Sequence, residues 1–170
     1  MKLSTGDKIV VVPWDFSVLS LDALLQAIEM VDDLSKIRVV HVTTPLSALE
    51  YGVIWNTLHE TTVMSRLTDE FAKQTEGYPE LKDVLFTVLF GDPGTRVCEF
   101  AKDFRASVII LPSHGRTGIA RVFLGSVAER IVRLAHCPVL VLREQSTATT
   151  EGEQSDAKSN DSSLPASTAN

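Results

Sequence analysis

The chain has 170 residues, of which 44% are hydrophobic, 22% charged and 6% aromatic, and its net charge is −6. That length suits one domain with a full hydrophobic core and no covalent staples. Two cysteines, Cys98 and Cys137, exclude a disulfide scaffold and a four-thiolate metal site, and the acidic balance argues against broad nucleic-acid binding.

Residues 1–7 lack the apolar run of a signal peptide. No apolar stretch approaches the roughly 20 residues that span a bilayer. The expectation is a soluble, cytoplasmic protein without a membrane partner. Residues 8–13 (KIVVVP) read as a strand, β-branched and apolar on both faces like a buried parallel strand. Residues 17–34 show helical spacing, with Leu21, Leu24, Leu25, Ile28 and Val31 on one stripe and Ser17 or Ser20 as the cap. A second strand covers 37–42, and a long helical stretch covers 45–76, with a break near Tyr51-Gly52. The third strand, 84–90, ends in the turn Gly91-Asp92-Pro93-Gly94. A short helix over 95–104, a strand over 107–111, a helix over 119–135 and a strand over 138–142 complete the folded part.

From residue 144 onward the composition changes. Residues 144–170 carry five acids against one base, no aromatic side chain and a single large aliphatic, Leu164. Such a segment cannot bury enough apolar area to offset its ordering entropy. The expected organisation is therefore one domain over 1–143 and a disordered acidic, Ser/Thr-rich tail over 144–170.

Five strands alternating with four helices predict an α/β fold: a three-layer, doubly wound, five-stranded parallel sheet with helices on both faces. Ligands of such sheets sit at the carboxyl ends of the strands, where the strand order reverses. The loop after the fourth strand carries the strongest chemical signal there. It reads Ser113-His114-Gly115-Arg116-Thr117-Gly118 and leads through Leu124 to Gly125-Ser126-Val127. Glycines permit tight turns and close backbone approach. Backbone N–H groups at a helix start suit an anion, Ser126 adds a hydroxyl, and Arg116 and Arg121 add positive charge. The composition fits a phosphate cradle, although glycine-rich loops after strands are also ordinary turn chemistry. No GxxxxGK[ST] is present, nor a GxGxxG after the first strand.

Several blocks together resemble the universal stress protein family. Gly115, nine residues, then Gly125-Ser126 is similar to the second half of its G-x2-G-x9-G-[ST] pattern. Pro13-Trp14-Asp15-Phe16-Ser17 resembles its P-x-D-F-S, and His41-Val42 its second-strand ending. Gly91-Asp92-Pro93 resembles its G-x-P turn. Ser126-Val127-Ala128-Glu129-Arg130 and Cys137-Pro138-Val139-Leu140-Val141 resemble its closing blocks. The likeness runs over residues 7–143.

The resemblance implies an adenine-nucleotide site for ATP, with magnesium. Pro13 opens the first block, Asp15 accepts a hydrogen bond at or near the adenine edge, and the Val42 backbone contacts adenine. Gly115, Arg116, Gly125 and Ser126 surround ribose and phosphates. Two readings stay open at this point: Asp15 as a cap for a helix beginning at Phe16, and Val42 as a core strand residue. The pattern's first glycine is replaced by Pro112. Proline has no N–H and fixes φ near −65°. A site that uses that N–H, or that needs a positive φ there, is impaired; a glycine that only provides room is replaceable.

Catalytic patterns are weak. Ser113-His114-Gly115 lacks the first glycine of a nucleophile elbow, and only Glu129 and His136 follow it. A phosphorylated receiver needs paired acids after the first strand, where Asp15 stands alone. No histidine has metal-ligand spacing. The expectation is binding with at most slow ATP hydrolysis. The fifth strand is apolar on both faces, and at a sheet edge it invites a second copy; the resemblance implies a homodimer through Val139, Leu140 and Val141. The leading expectation is an ATP-binding, non-catalytic stress-response regulator. The alternative is a nucleotide-independent dimeric scaffold with a site impaired by Pro112.

Overall fold

The valine- and isoleucine-rich runs form five parallel strands: β1 (Val10–Trp14), β2 (Ile37–Thr43), β3 (Leu85–Phe90), β4 (Val108–Pro112) and β5 (Val139–Leu142). Their order in the sheet is β3-β2-β1-β4-β5, and every ladder is parallel. Between them lie α1 (Val18–Met30), α2 (Val53–Gln74), α3 (Pro93–Asp103) and α4 (Ser126–Leu134). This computed structural model describes residues 8–43, 53–113 and 124–143, with the backbone alone at 53–59. The tail over 144–170 and the proposed break at Tyr51-Gly52 lie outside those residues.

Alternation along the strands builds two cores. Val10, Val12, Val39 and Ile110 pack with Leu24 and Ala27 of α1 and Phe71 of α2. Val11, Val40, Ile109 and Leu111 pack on the opposite face with Val97 and Ala101 of α3 and Ala128 and Ile131 of α4. Strands covered on both faces have no polar side to show, which is why their sequences run apolar without alternation. The arrangement is the expected doubly wound α/β sheet.

Several boundaries move for local reasons. β1 continues past Pro13 to Trp14, because its pairing with β2 extends to Trp14 opposite His41. α1 stops at Met30 rather than 34; Val31 is extended, and Asp33 instead caps a 3-10 turn at Leu34–Lys36 through the Ser35 N–H, 2.9 Å away. Carboxylates at a helix C-terminus oppose its dipole, which disfavours continuing the helix through Asp32 and Asp33. The buried stripe of α1 centres on Ser20, Ala23, Leu24 and Ala27, small residues that bring the helix close to the sheet, while Leu21 and Ile28 pack at its margin. α3 begins at Pro93, two residues earlier than expected. Asp92 is its N-cap and Pro93 fills the first turn, where a missing N–H costs nothing. α4 begins at Ser126, so no helix runs through Leu124 and Gly125.

The chain lays down β1, β2 and β3 in one direction. α3 then carries it back across the sheet to β4 on the other side of β1. The strand order therefore reverses between β1 and β4, and the crevice of a doubly wound sheet belongs there.

Candidate functional site

A crevice of about 260 Å³ opens at that reversal, between the carboxyl ends of β1, β2 and β4 and the start of α4. Pro13, Asp15, Val42, Gly125 and Ser126 all line it, as does Pro112. Gly115 and Arg116 lie outside the described residues. Residues that are far apart in sequence thus meet on one concave surface.

Asp15 follows β1 directly. One of its carboxylate oxygens accepts the Ser17 N–H at 3.0 Å and the Ser17 hydroxyl. Ser17 is the N-cap of α1, accepting the Ser20 N–H at 3.2 Å. Asp15 is therefore not the helix cap that one reading allowed. It closes an Asx turn one step earlier and holds the cap in place. Phe16 between them has φ 64°, a left-handed conformation unusual for a bulky side chain. Its ring is fixed edge-on by Trp14 at 6.1 Å, His41 at 4.8 Å and Phe86 at 6.3 Å between centroids. His41 Nδ1 lies 2.7 Å from the Trp14 carbonyl and donates to it, tying β2 to the end of β1. Sequence reasoning placed His41 only at a strand end; its place on the crevice wall follows from the register of β2 against β1.

The two helices that begin near the crevice end differently. Asp92 caps α3, accepting the Thr95 N–H at 2.9 Å and the Thr95 hydroxyl at 2.7 Å, with Arg130 at 3.2 Å. The hydrogen bonds from Thr95, then the Arg130 charge, hold its carboxyl below the usual carboxylate range. α4 has Gly125 as its N-cap, with no side-chain hydrogen bond to its first turn. The Gly125 N–H donates to the Ser113 carbonyl at 2.9 Å, and the Gly125 carbonyl accepts from Glu129 at 2.8 Å. The first N–H groups of a helix have no acceptor within it. Here that turn, Ser126 to Ala128, lines the crevice and places the positive end of the helix there.

Pro112 is the last residue of β4, in extended backbone that requires no positive φ. One of the two objections to a proline there therefore falls away; the missing N–H remains. Among the described residues no three His, Cys, Asp or Glu side chains come together as a metal cluster. Asp15 is the carboxylate among the described lining residues, which fits a magnesium ion carried by phosphates better than one caged by protein. Cys98 is buried against α4 and Cys137 packs beside the same core, and burial raises both thiols. They are packing residues, as their apolar surroundings suggest. His136 is exposed just after α4. No helix among the described residues is long and apolar enough to cross a membrane.

The universal stress protein family model matches residues 7–143. The chain belongs to the universal stress protein family. Among family members, universal stress protein MJ0531 of Methanocaldococcus jannaschii is 32% identical over 142 residues, covering 81% of this chain and 82% of its own. The solved structure of protein MJ0577 superposes with a TM-score of 0.68 at 20% identity, covering 82% of this chain and 98% of the other. An Arabidopsis thaliana family member solved with AMP bound superposes with a TM-score of 0.51 at 18% identity, covering 85% of this chain and 97% of its own. These likenesses agree with the five-stranded parallel sheet described above.

Proposed function

We propose that this universal stress protein binds an adenine nucleotide in the crevice at the β1–β4 reversal and acts as a homodimeric regulator rather than as a catalyst. The observation that carries the reading is the start of α4. It is a helix N-terminus without a side-chain cap, opening into a crevice that Asp15 and Val42 also line. An anion satisfies those N–H groups without further machinery. AMP, bound by the Arabidopsis relative, has the right parts for such a site. Adenine lies by the Val42 backbone and Asp15, and ribose and phosphates lie by Gly115, Arg116, Gly125 and Ser126. Where the nucleotide is ATP, magnesium would be carried by its phosphates. Asp15 and His41, the titratable side chains among the described lining residues, are each engaged in holding the backbone around the end of β1, which supports binding rather than turnover as the task.

Titration calorimetry with AMP and with magnesium-ATP tests this. Gly125 has φ −61°, which any residue adopts, so Gly125→Leu fills the crevice mouth without straining the backbone. The wild type should bind, and Gly125→Leu should lose at least about tenfold in affinity with unchanged folding. No binding of either nucleotide to the wild type, up to millimolar, overturns the proposal in favour of a dimeric interaction module.

A further inference from the structure

β1 and β4 pair at only two positions, Val10 with Val108 and Val11 with Ile109. Each strand nevertheless continues on its other side. β1 pairs with β2 as far as Trp14 opposite His41, and β4 with β5 as far as Pro112 opposite Leu142. Both strands stay extended where their mutual pairing has stopped, and Pro13, Trp14, Leu111 and Pro112 at those ends line the crevice.

Two prolines stand at those unpaired positions. In a parallel ladder a residue turns its N–H and C=O toward the same neighbour, and successive residues alternate sides. Ile109 donates to the Pro138 carbonyl at 3.0 Å and Ser113 to the Leu142 carbonyl at 2.8 Å, both toward β5. Positions 108, 110 and 112 therefore face β1. With Val108 opposite Val10, positions 9, 11 and 13 of β1 face β4. A regular continuation would send the N–H of residue 13 to the Ile110 carbonyl and the N–H of residue 112 to the Pro13 carbonyl. Both donors are prolines, so neither bond can form.

We propose that Pro13 and Pro112 act as a wedge, each withholding the ladder donor that would draw β1 and β4 together, so that the crevice is open before a ligand arrives. Pro112 is then a positioning residue that preorganises the site, not a lesion in it. The consequence for affinity rests on the nucleotide reading above; the effect on strand pairing does not.

Pro112→Ala restores the N–H in backbone that alanine adopts freely. In the ligand-free variant, amide exchange followed by NMR should show residue 112 protected at least about tenfold, as a ladder hydrogen bond requires. AMP affinity should weaken about two- to tenfold, because part of the population is now zipped shut. Pro13→Ala, whose new N–H faces Ile110, should show the same protection at residue 13 and the same loss of AMP affinity, and it replaces the first variant if that one does not fold. A freely exchanging amide at position 112 overturns the wedge. So does AMP binding that is unchanged, or tightened by the added donor. Failure of the wild type to bind AMP overturns the nucleotide reading alone, since exchange at residue 112 still decides whether the strands zip.

Discussion

Gly94, in the first turn of α3, is held to glycine by its neighbour rather than by its dihedral angles. A Cβ there would lie 2.8 Å from Cβ, Cγ and Cδ of Arg130. The Arg130 Cβ is anchored to the α4 backbone and cannot swing away as a side-chain tip can. Gly94→Ala should therefore push α3 and α4 apart and destabilise the fold by about 1–3 kcal/mol, the cost of overpacking. Urea unfolding measures this, and an unchanged midpoint would mean that the helices slide at no cost. The same arginine reaches Asp92 at 3.2 Å, so the Gly94 contact also positions the ion pair. At this scale the sequence was informative about residue identity and silent about conformation. Asp15, Gly125 and Ser126 stood out as residues that interact with backbone and anions. The left-handed Phe16 did not, because a phenylalanine pays no attention to that region of φ/ψ space unless neighbours such as Trp14, His41 and Phe86 hold it there.

Among the elements, β5 carries the clearest consequence. It is the edge of the sheet beside β4, and all four of its residues are only half-buried. An apolar edge strand of this kind pairs with another strand unless something prevents it. If two copies meet through Val139, Leu140 and Val141, Val141→Glu places like charges across the two-fold axis and should yield a monomer by light scattering on a sizing column. A dimer that survives the substitution places the interface elsewhere. The type and order of the elements were legible from periodicity, whereas their ends were not. α3 starts at Pro93 because Asp92 finds the Thr95 N–H, and β1 passes Pro13 because β2 continues to pair with it. Both facts concern partners that the local sequence does not name.

For the whole molecule, the carboxylates that cap its elements contribute to the pH dependence of stability. Hydrogen bonds from Thr95 lower Asp92, and those from Ser35 lower Asp33, in each case below the ordinary value of 3.8. A carboxyl lowered on folding stabilises the native state fully above its unfolded pKa. That contribution fades as pH falls from about 3.8 through the lower folded value. Asp92→Asn keeps a capping oxygen but removes this titration. The difference in Tm between pH 7 and pH 3 should shrink in the variant; an undiminished difference assigns the acid sensitivity to other groups. The net charge of −6 passes through zero near pH 5.2 and is positive at pH 3, so the comparison is best made at fixed ionic strength.

The sequence by itself determined the class of fold, since alternating apolar strands and amphipathic helices have few ways to bury both faces of a sheet. It also marked Pro13, Asp15, Gly125 and Ser126 of the crevice lining, because proline, aspartate, glycine and serine each have backbone chemistry that is visible in a single letter. Only the tertiary structure decided where those residues face. Whether Asp15 caps a helix or closes a turn depends on Ser17 being the cap. Whether Pro112 spoils a site or shapes one depends on which neighbouring strand its nitrogen addresses. That direction is set by ladders to β1 and β5, whose partners lie nearly a hundred residues and some thirty residues away along the chain.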